Sequence, residues 1–300
     1  MNMQNAKTGG AVPLLRKIEP GVPALKLAGP AAIAIKAGTM FAGRTFDTDT
    51  PVRMPTIVTA GDYGVVVGER TADAVLLTAA PTSDFVLGGF HFAPGGNAPA
   101  RSGGDAVAQI NSCSVWDVGF RPACPDPRGM TLVAHAAGRF WCDIYLLGVD
   151  HRTAGTSSLG ATIADGNSPP QRPTQGRFKK LDYETALAVM QLHGKGLLGV
   201  EEFFAAAFGV TERTCHDGEP DVTALDAART SRWGVMQATG NMWVWGHDGD
   251  PDLPRASIFG GSWHSGDDAG SRCADVACVW PGDSTGSFGA RGLGDHLQLD

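Results

Sequence analysis

Short runs of apolar and β-branched residues, separated by polar turn-forming residues, predict a series of short β-strands in the first third of the chain. Residues 31–36 (AAIAIK) end close to a glycine turn, and residues 63–67 (YGVVV) follow the turn signal of residues 60–62. Residues 74–77 and 85–87 continue the series at short spacing. Strands of this length, separated by Gly, Pro and Asp, are typical of a β-sandwich or a barrel.

The pattern weakens between residues 88 and 126, where glycine and proline become frequent. We interpret this stretch as a structured connector in which Trp116, Phe120 and Arg121 are packing anchors. A catalytic role for the stretch is the less favoured alternative.

Turn-forming residues set the expected domain limits. Residues 125–129 (PDPRG) predict a boundary, because two prolines and a glycine extend neither a strand nor a helix. Residues 1–26 contain helix-breaking prolines and predict an N-terminal extension or adaptor. The sequence therefore predicts a β-rich intermediate domain over residues 27–128 and a second domain over residues 129–300.

The second domain is expected to open with a β-hairpin. Its strands are predicted over residues 130–133 and 140–148, with the turn at residues 137–139. Residues 151–177 are rich in Pro, Ser and Gly and predict a polar surface loop.

Apolar residues at helical spacing predict two helices after this loop. Asp182 is the expected N-cap of a helix over residues 183–192, whose apolar positions share one face. A second helix is expected over residues 200–208, with acidic residues in its first turn and Gly209 as its C-cap. His193 lies between them, and a histidine beside a glycine is more often a cap or a core contact than a catalytic group.

Aromatic residues are concentrated late in the chain, where five of the seven tryptophans follow residue 230. Trp243 and Trp245 occupy alternate positions of a predicted strand and so share one face. So much aromatic volume with so few helical signals predicts a compact, loop-rich core.

Residues 259–296 combine a scaffold-like frame with a permissive middle. They begin with FGGSW and end near GARG, whereas the residues between are small, polar and varied. A fixed frame around a varied middle predicts a binding surface carried on loops.

Charge and composition exclude several classes of function. The net charge is −7 and only 18% of residues are charged, which argues against nucleic-acid binding, because phosphate contacts need clustered Lys and Arg. The apolar runs are too short to span a membrane, so no membrane insertion is expected. The start of the chain lacks the apolar core of a signal peptide, which predicts folding in a cytoplasm.

Metal and disulfide chemistry receive little support. The six cysteines form no CxxC pair, so a zinc site is not expected and buried thiols are favoured, with pairing of Cys273 and Cys278 as an alternative. Asp248, Asp250 and Asp252 lie at alternate positions, which favours a solvated acidic turn and leaves a calcium loop as the alternative. No cofactor is therefore expected, with calcium left open.

An ordered series of motifs resembles the formylglycine-generating-enzyme branch of the C-type lectin fold. The motifs are residues 193–198 (HGKGLL), 202–203 (EF), 240–245 (GNMWVW), 260–263 (GGSW) and 289–291 (GAR). Longer segments resemble the phage tropism determinants, tail-fibre proteins that a diversity-generating retroelement diversifies. These segments are residues 88–97, 108–133, 140–151, 233–240 and 289–299. The resemblance covers the chain from about residue 30 onward and leaves residues 1–26 unmatched.

The resemblance implies an α+β fold, with a β-sandwich-like domain followed by a C-type lectin domain whose variable region covers about residues 259–296. It also implies a homotrimer in the virion tail fibre, made in the host cytoplasm and acting outside the cell. The implied partners are a host cell-surface protein or glycan receptor and other tail-fibre proteins. How residues 1–26 would attach to the tail is left open.

The resemblance further implies that adenine-targeted mutagenesis rewrites selected positions, which bind the receptor. Carried over residue by residue, these ligand-binding positions are Ser262, His264, Ser265, Gly266, Asp268, Val276, Cys278, Val279, Asp283, Thr285, Ser287 and Phe288. Rewriting the adenines of an AAC codon gives only codons that end in C, which never encode Lys, Glu, Gln, Met or Trp. Every one of these positions obeys that rule.

An enzymatic alternative is not favoured by the residues. Formylglycine-generating enzymes bind copper through a cysteine pair shortly after the GGS motif, and residues 260–266 contain no cysteine. Cys273 and Cys278 lie where the family has core residues, and Asp275 works against a thiolate. The chain also lacks a GxSxG hydrolase elbow. We therefore expect a binding protein and not an enzyme, with a calcium-dependent carbohydrate lectin or a retroelement-diversified bacterial surface protein as alternatives.

Overall fold

The computed structural model describes residues 15–136, 138–251, 254–277 and 279–298. The strands of the first half are β1 (Leu25–Gly29), β2 (Ala32–Ile35), β3 (Thr39–Phe41), β4 (Arg44–Phe46), β5 (Thr50–Pro51), β6 (Gly61–Val67), β7 (Ala72–Leu76), β8 (Val86–Pro94), β9 (Ala108–Ile110), β10 (Trp116–Asp117) and β11 (Phe120–Pro122). Those of the second half are β12 (Met130–His135), β13 (Gly138–Asp143), β14 (Gly196–Leu197), β15 (Trp243–Gly246), β16 (Ser257–Phe259), β17 (Ala274–Asp275), β18 (Phe288–Gly289) and β19 (Gly292–Gln298). The α-helices of the described residues are α1 (Ala98–Arg101), α2 (His151–Ala154), α3 (Tyr183–Leu192) and α4 (Val200–Ala206).

The strands predicted for the first half are confirmed at β2, β6, β7 and the start of β8, whose buried side chains share one core. In this core the rings of Tyr63 and Phe90 stack with their centroids 5.5 Å apart. β1, β2 and β5 form a small sheet, and β3 pairs with β4. The arrangement agrees with the β-sandwich-like fold that the resemblance implied.

The prediction of a connector over residues 88–126 is wrong at its start, because residues 88–94 belong to a central strand. β8 pairs with β6, β9 and β10, and almost all of its residues are buried. A Cβ on Gly88 would lie 2.1 Å from the carbonyl oxygen of Trp116, and one on Gly89 would lie 2.3 Å from that of Tyr63. Glycine is therefore needed here for close backbone approach and not for a turn.

The largest sheet runs across the expected boundary at residues 125–129. Its strand order is β12-β13-β19-β11-β10-β8-β6-β7. On one side of β19, Gln298 pairs with Phe120 of β11; on the other side, Gly294 pairs with Trp141 of β13. A single late strand is thus hydrogen-bonded to both halves of the chain.

A buried polar chain adds a second link between the halves. The His91 ring lies 3.0 Å from the Asp62 carboxylate through Nδ1 and 3.0 Å from the Tyr145 hydroxyl through Nε2. Asp62 also accepts a hydrogen bond from the Gly129 N–H at 2.8 Å. Burial raises the pKa of Tyr145, so its hydroxyl stays protonated in this chain.

The described part of the N-terminal extension packs onto the first half. Lys17 Nζ lies 2.8 Å from the Asp117 carboxylate, and both side chains are buried. Arg16 exchanges main-chain hydrogen bonds with Met40. Residues 15–26 are therefore part of the first half, whereas residues 1–14 of the predicted extension lie outside the described residues.

The second half opens with the expected hairpin, β12 and β13, although residues 144–148 continue it as buried irregular chain and not as strand. Residue 137 of the predicted turn lies outside the described residues, and the prediction is wrong at Gly138 and Arg139, which belong to β13 and pair with β12. The expected surface loop over residues 151–177 contains α2 and buried residues, among them Ile163 and Ala164. Its polar composition reflects internal hydrogen bonding, since the buried Ser157 hydroxyl donates to the Gly129 carbonyl.

The two predicted helices are confirmed as α3 and α4. Asp182 caps α3, because its Oδ1 accepts a hydrogen bond from the Thr185 N–H at 3.0 Å. α4 ends at Ala206, slightly before the predicted end, and Gly209 follows with a positive φ of 96°. Neither these helices nor any other helix of the described residues is long and apolar enough to cross a membrane.

The interpretation of His193 as a structural residue agrees with its contacts. It follows α3 as the C-cap, and its Nε2 lies 2.8 Å from His151 Nδ1. His151 Nε2 lies 2.9 Å from the Gln171 carbonyl oxygen, to which it donates. Burial and the adjacent His151 lower the pKa of His193 to about 4, and burial lowers the pKa of His151.

Stability is therefore expected to fall as the pH decreases from about 6.5 towards 4, the interval between the ordinary pKa of histidine and that of His193. In that interval the unfolded chain binds protons that the folded chain does not, so acid favours unfolding. Thermal unfolding at several pH values measures this effect, and His193→Asn should flatten the pH dependence. A melting temperature that is constant across the interval would contradict the expectation.

Candidate recognition surface

Two loops of the predicted variable region flank a four-stranded sheet in the second half. The sheet has the order β17-β16-β15-β18, and we call it the platform. Loop A (residues 262–272) follows β16, and loop B (residues 276–288) follows β17 and leads into β18. Residue 278 of loop B, the predicted position Cys278, lies outside the described residues.

Both loops are held by the main chain at the start of β15. The Trp263 N–H of loop A donates to the Asn241 carbonyl oxygen at 3.0 Å. The Trp243 N–H donates to the Ser287 carbonyl oxygen of loop B at 2.9 Å. Since Asn241 and Trp243 are two positions apart in the sequence, the loops meet on the two sides of one short segment.

Stacked aromatic rings fix the end of loop B against the core. Phe288 stacks on Trp245 with ring centroids 4.9 Å apart. Trp245 is fully buried, packs edge-on against Tyr183, and donates from Nε1 to the Leu181 carbonyl oxygen at 3.2 Å. The predicted place of the late tryptophans in the core is confirmed at Trp245.

The end of the variable region is fixed by a buried arginine. Arg291 Nη1 donates to the carbonyl oxygens of Asp143 and Ile144 at 2.8 and 2.7 Å. Its Nη2 donates to those of Met236 and Gln237 at 2.7 and 3.3 Å. One side chain thus ties together three separate parts of the second half.

Most of the predicted ligand-binding positions are accessible. The exposed ones are His264, Gly266, Asp268, Val276, Asp283 and Thr285. Ser265 and Phe288 are half-buried. Loops A and B together therefore present chemically varied side chains on a fixed main chain.

Three predicted positions are interior, and their expected place on the surface is wrong. Ser262 is fully buried and its N–H is bonded to the Ser265 hydroxyl. Val279 packs in the apolar core around Trp245. Ser287 is 9% exposed, and its hydroxyl lies 2.8 Å from that of Thr285. Each lies where a loop joins the platform, and small side chains give no sequence signal that separates inward from outward positions.

Trp280 is an exposed residue of loop B that the sequence assigned to the core. It is 65% exposed, and its carbonyl oxygen accepts a hydrogen bond from the Asp283 N–H at 3.0 Å. Its neighbour Pro281 and the following glycine were the signal that this tryptophan lies on a turn. A large exposed tryptophan ring is a typical anchor in protein interfaces.

The exposed acids of loop A differ in their surroundings. The Arg213 guanidinium lies 2.6 Å from the Asp267 carboxylate, and this hydrogen bond lowers the pKa of Asp267. Asp268 is exposed next to it, and Asp283 is exposed in loop B. The surface therefore carries acidic groups on both loops.

The acidic turn before β16 is used in part to hold secondary structure. The Asp248 carboxylate accepts hydrogen bonds from the Val200 N–H at 2.6 Å and from the Ser257 hydroxyl at 3.0 Å. Asp252, the third predicted calcium ligand, lies outside the described residues. Among the residues that are described, no group of three or more His, Cys, Asp or Glu side chains could hold a metal ion.

The cysteine of the disfavoured oxidase alternative is poorly suited to ionise. Burial, together with the Asp268 and Asp275 carboxylates, raises the pKa of Cys273 to about 11. The expectation that Asp275 works against the thiolate is confirmed, and Cys273 is a protonated thiol near neutral pH.

Comparisons with known proteins agree with the geometry. The family model described as "Mtd second domain" matches residues 23–117. The chain is 38% identical over 353 residues to the "Tail fiber receptor-binding protein" of Bordetella phage BPP-1, an alignment that covers 99% of this chain and 91% of that protein. Its fold matches the solved "Major Tropism Determinant I1 Variant" with a TM-score of 0.86 at 38% identity, covering 96% and 87% of the two chains. The match to the "Major Tropism Determinant U1 Variant" has a TM-score of 0.85 at the same identity, covering 95% and 86%. The similarity thus extends before residue 27, into the stretch that the sequence motifs left unmatched.

Proposed function

Because this chain belongs to the Mtd family of phage tropism determinants, we propose that loops A and B form its receptor-binding surface. The chain is a tropism-determining, receptor-binding protein of a phage tail fibre, and its second half has the C-type lectin fold. The observation that supports the proposed surface is the exposure of His264, Asp268 and Asp283 on loops whose main chain is bonded to β15. A main chain fixed before binding lowers the entropic cost of association.

We also propose that a diversity-generating retroelement rewrites the exposed positions of these loops. Side chains that point outward from a main chain fixed by hydrogen bonds can change without loss of packing in the core. All predicted positions carry residues that codons ending in C can encode, and this supports rewriting by a retroelement. The neighbouring DNA tests it: we expect a near-copy of the 3′ coding end that differs at adenines and adjoins a reverse transcriptase gene.

The charge of the surface indicates the class of partner. Asp268 and Asp283 are exposed on different loops, and Trp280 adds an exposed aromatic ring. Exposed carboxylates on both loops, together with this ring, suit a receptor patch that is basic or rich in hydroxyl groups, whether it belongs to a host surface protein or a glycan. The opposite sign of charge is expected to be rejected, because like charges at an interface cost several kcal/mol.

Reversing the charge at two positions, Asp268→Lys with Asp283→Lys, is therefore expected to lower binding by about 100-fold or more. The measurement is a titration of labelled protein onto cells of a bacterial strain that binds the wild-type protein. The matched control is Asp47→Lys with Asp84→Lys, which makes the same charge change at exposed positions of the first half. Equal binding by the loop variant and the control would contradict the proposed surface.

We propose that three copies of the chain act together in the virion and that residues before β1 help to join other tail-fibre proteins. The proposed trimer would place three recognition surfaces against one cell, so that weak single contacts add up to strong attachment. Light scattering on the purified chain tests this assembly, since a trimer has three times the 31.2 kDa mass of one chain.

The relatives point to a non-enzymatic role, and we propose that the chain binds without catalysing a reaction. A calcium-dependent lectin is the remaining alternative, and Asp248 and Asp250 would be its ligands among the described residues. A chelator added to the cell-binding measurement separates the two: unchanged binding favours the metal-free surface, and loss of binding that calcium restores favours the lectin.

A further inference from the structure

A glutamate from outside the variable region contacts the main chain of loop A. The Glu212 carboxylate accepts hydrogen bonds from the Ser271 N–H at 2.9 Å and from the Ser271 hydroxyl. A Cβ added to Gly270 would lie 2.1 Å from Glu212 Oε2, so the carboxylate lies directly against the glycine backbone. The adjacent Arg213 N–H donates to the Ala269 carbonyl oxygen at 2.9 Å.

A second glutamate of the same stretch lies against loop B in a similar way. A Cβ added to Gly286 would lie 2.2 Å from Glu219 Oε1 and 2.4 Å from the Asn167 amide nitrogen. Next to it, the Gly166 N–H donates to the Thr285 carbonyl oxygen at 3.0 Å. Gly286 of loop B thus lies directly between the Glu219 carboxylate and the Asn167 amide.

The segment that carries both glutamates connects the two loops through the platform. We call residues 211–219 the support segment. Within it, the His216 N–H donates to the Gly240 carbonyl oxygen at 2.7 Å, immediately before the point where both loops join β15. Arg229 donates to the Cys215 carbonyl oxygen and to the Asp226 carboxylate, which fixes the middle of the segment.

The contacts of both glutamates avoid the positions that are proposed to vary. Glu212 contacts Gly270 and Ser271, and Glu219 contacts Gly286; none of these three residues belongs to the predicted ligand-binding set. Both glutamates are also exposed, so they contribute little to the apolar core. Their contacts therefore act locally on the loops and are compatible with any set of side chains at the variable positions.

We propose that Glu212 and Glu219 are positioning residues that hold loops A and B in one conformation whatever side chains the variable positions carry. This inference rests on the proposed function only in taking the loops as the recognition surface. Removing the Glu212 carboxylate frees loop A, because hydrogen bonds to a charged acceptor are strong locally. Removing the Glu219 carboxylate frees loop B, because it removes the close contact at Gly286. Each change is local and leaves the other loop and the fold intact.

Hydrogen exchange followed by mass spectrometry tests the proposal without a ligand. In Glu212→Ala, the amides of residues 262–273 should exchange at least about tenfold faster, as expected for a locally opened segment, while those of residues 283–288 keep their rate. Glu219→Ala should give the reverse pattern. Glu212→Gln should restore most of the protection in loop A, because its amide can still accept from the Ser271 N–H and donate to the Ser271 hydroxyl.

Matched controls distinguish a positioning role of the two glutamates from a general effect of charge and from a loss of global stability. Glu201→Ala removes an exposed glutamate of α4, and Arg213→Ala removes the ion pair to Asp267; both should leave exchange in the loops unchanged. Faster exchange over the whole chain, or no change in either glutamate variant, would overturn the proposal. The outcome is independent of the receptor: Asp268→Lys with Asp283→Lys could leave cell binding intact while Glu212→Ala still opens loop A, and then only the assignment of the surface would fail.

Discussion

Asp143→Ala is expected to lower the free energy of unfolding by roughly 3–5 kcal/mol, because it leaves a buried ammonium group without its counter-ion. Lys195 Nζ lies 2.6 Å from Asp143 Oδ1, and both side chains are almost completely buried. The same ammonium donates to the Thr156 hydroxyl at 2.7 Å, and Asp143 Oδ2 accepts from the Gly292 N–H at 3.1 Å. Burial alone would lower the pKa of Lys195, but the Asp143 carboxylate outweighs it and the pKa is raised.

The loss would be a large part of the total stability, since folded domains are stable by only about 5–15 kcal/mol. Urea unfolding followed by tryptophan fluorescence measures it. The double variant Asp143→Ala with Lys195→Met is the control, because removing both charges avoids the unpaired ion and should be less destabilising than Asp143→Ala alone. A single variant that unfolds within about 1 kcal/mol of the wild type would show that the ion pair is not important for stability.

Arg291→Met is expected to have the second-largest effect, a loss of about 3 kcal/mol or more. The guanidinium is 1% exposed and donates to four main-chain carbonyl oxygens. Methionine fills similar space but donates nothing, so these buried acceptors would lose their partners. Arg291→Lys should lie between the two, since an ammonium group does not reproduce the planar fork that reaches both pairs of carbonyls.

Arg272→Met provides the matched comparison, because Arg272 is an exposed arginine of the same region. Its substitution should change the free energy of unfolding by no more than about 0.5 kcal/mol. Both variants are compared with the wild type by urea unfolding. Similar destabilisation of the two would mean that the carbonyl contacts of Arg291 do not hold the end of the variable region.

Local patterns predicted the elements in which local physics dominates. The helical spacing around residues 183–192 and the capping carboxylate of Asp182 are both present in α3. Short apolar runs bounded by turn residues predicted β6 and β7 at the right positions. The fold class came from the ordered motifs, of which Trp245 and Arg291 are now seen to hold the platform.

Features that depend on distant contacts were not predictable in the same way. The continuation of β8 beyond residue 87 was missed because its glycines serve close packing with Trp116 and not a turn. The burial of Ser262, Val279 and Ser287 depends on how loops A and B join the platform, which has no periodic signature. Glu212 and Glu219 were missed because an exposed glutamate in a polar segment has the same sequence pattern whether or not it contacts another loop.

The position of β19 has a consequence for chains whose synthesis stops early. This strand joins β11 to β13 and is translated after loops A and B. A stop codon or a shifted reading frame in either loop therefore also removes the strand that is hydrogen-bonded to both halves. An AAC codon rewritten at its adenines still ends in C and cannot become a stop codon, so the proposed rewriting would leave β19 in place.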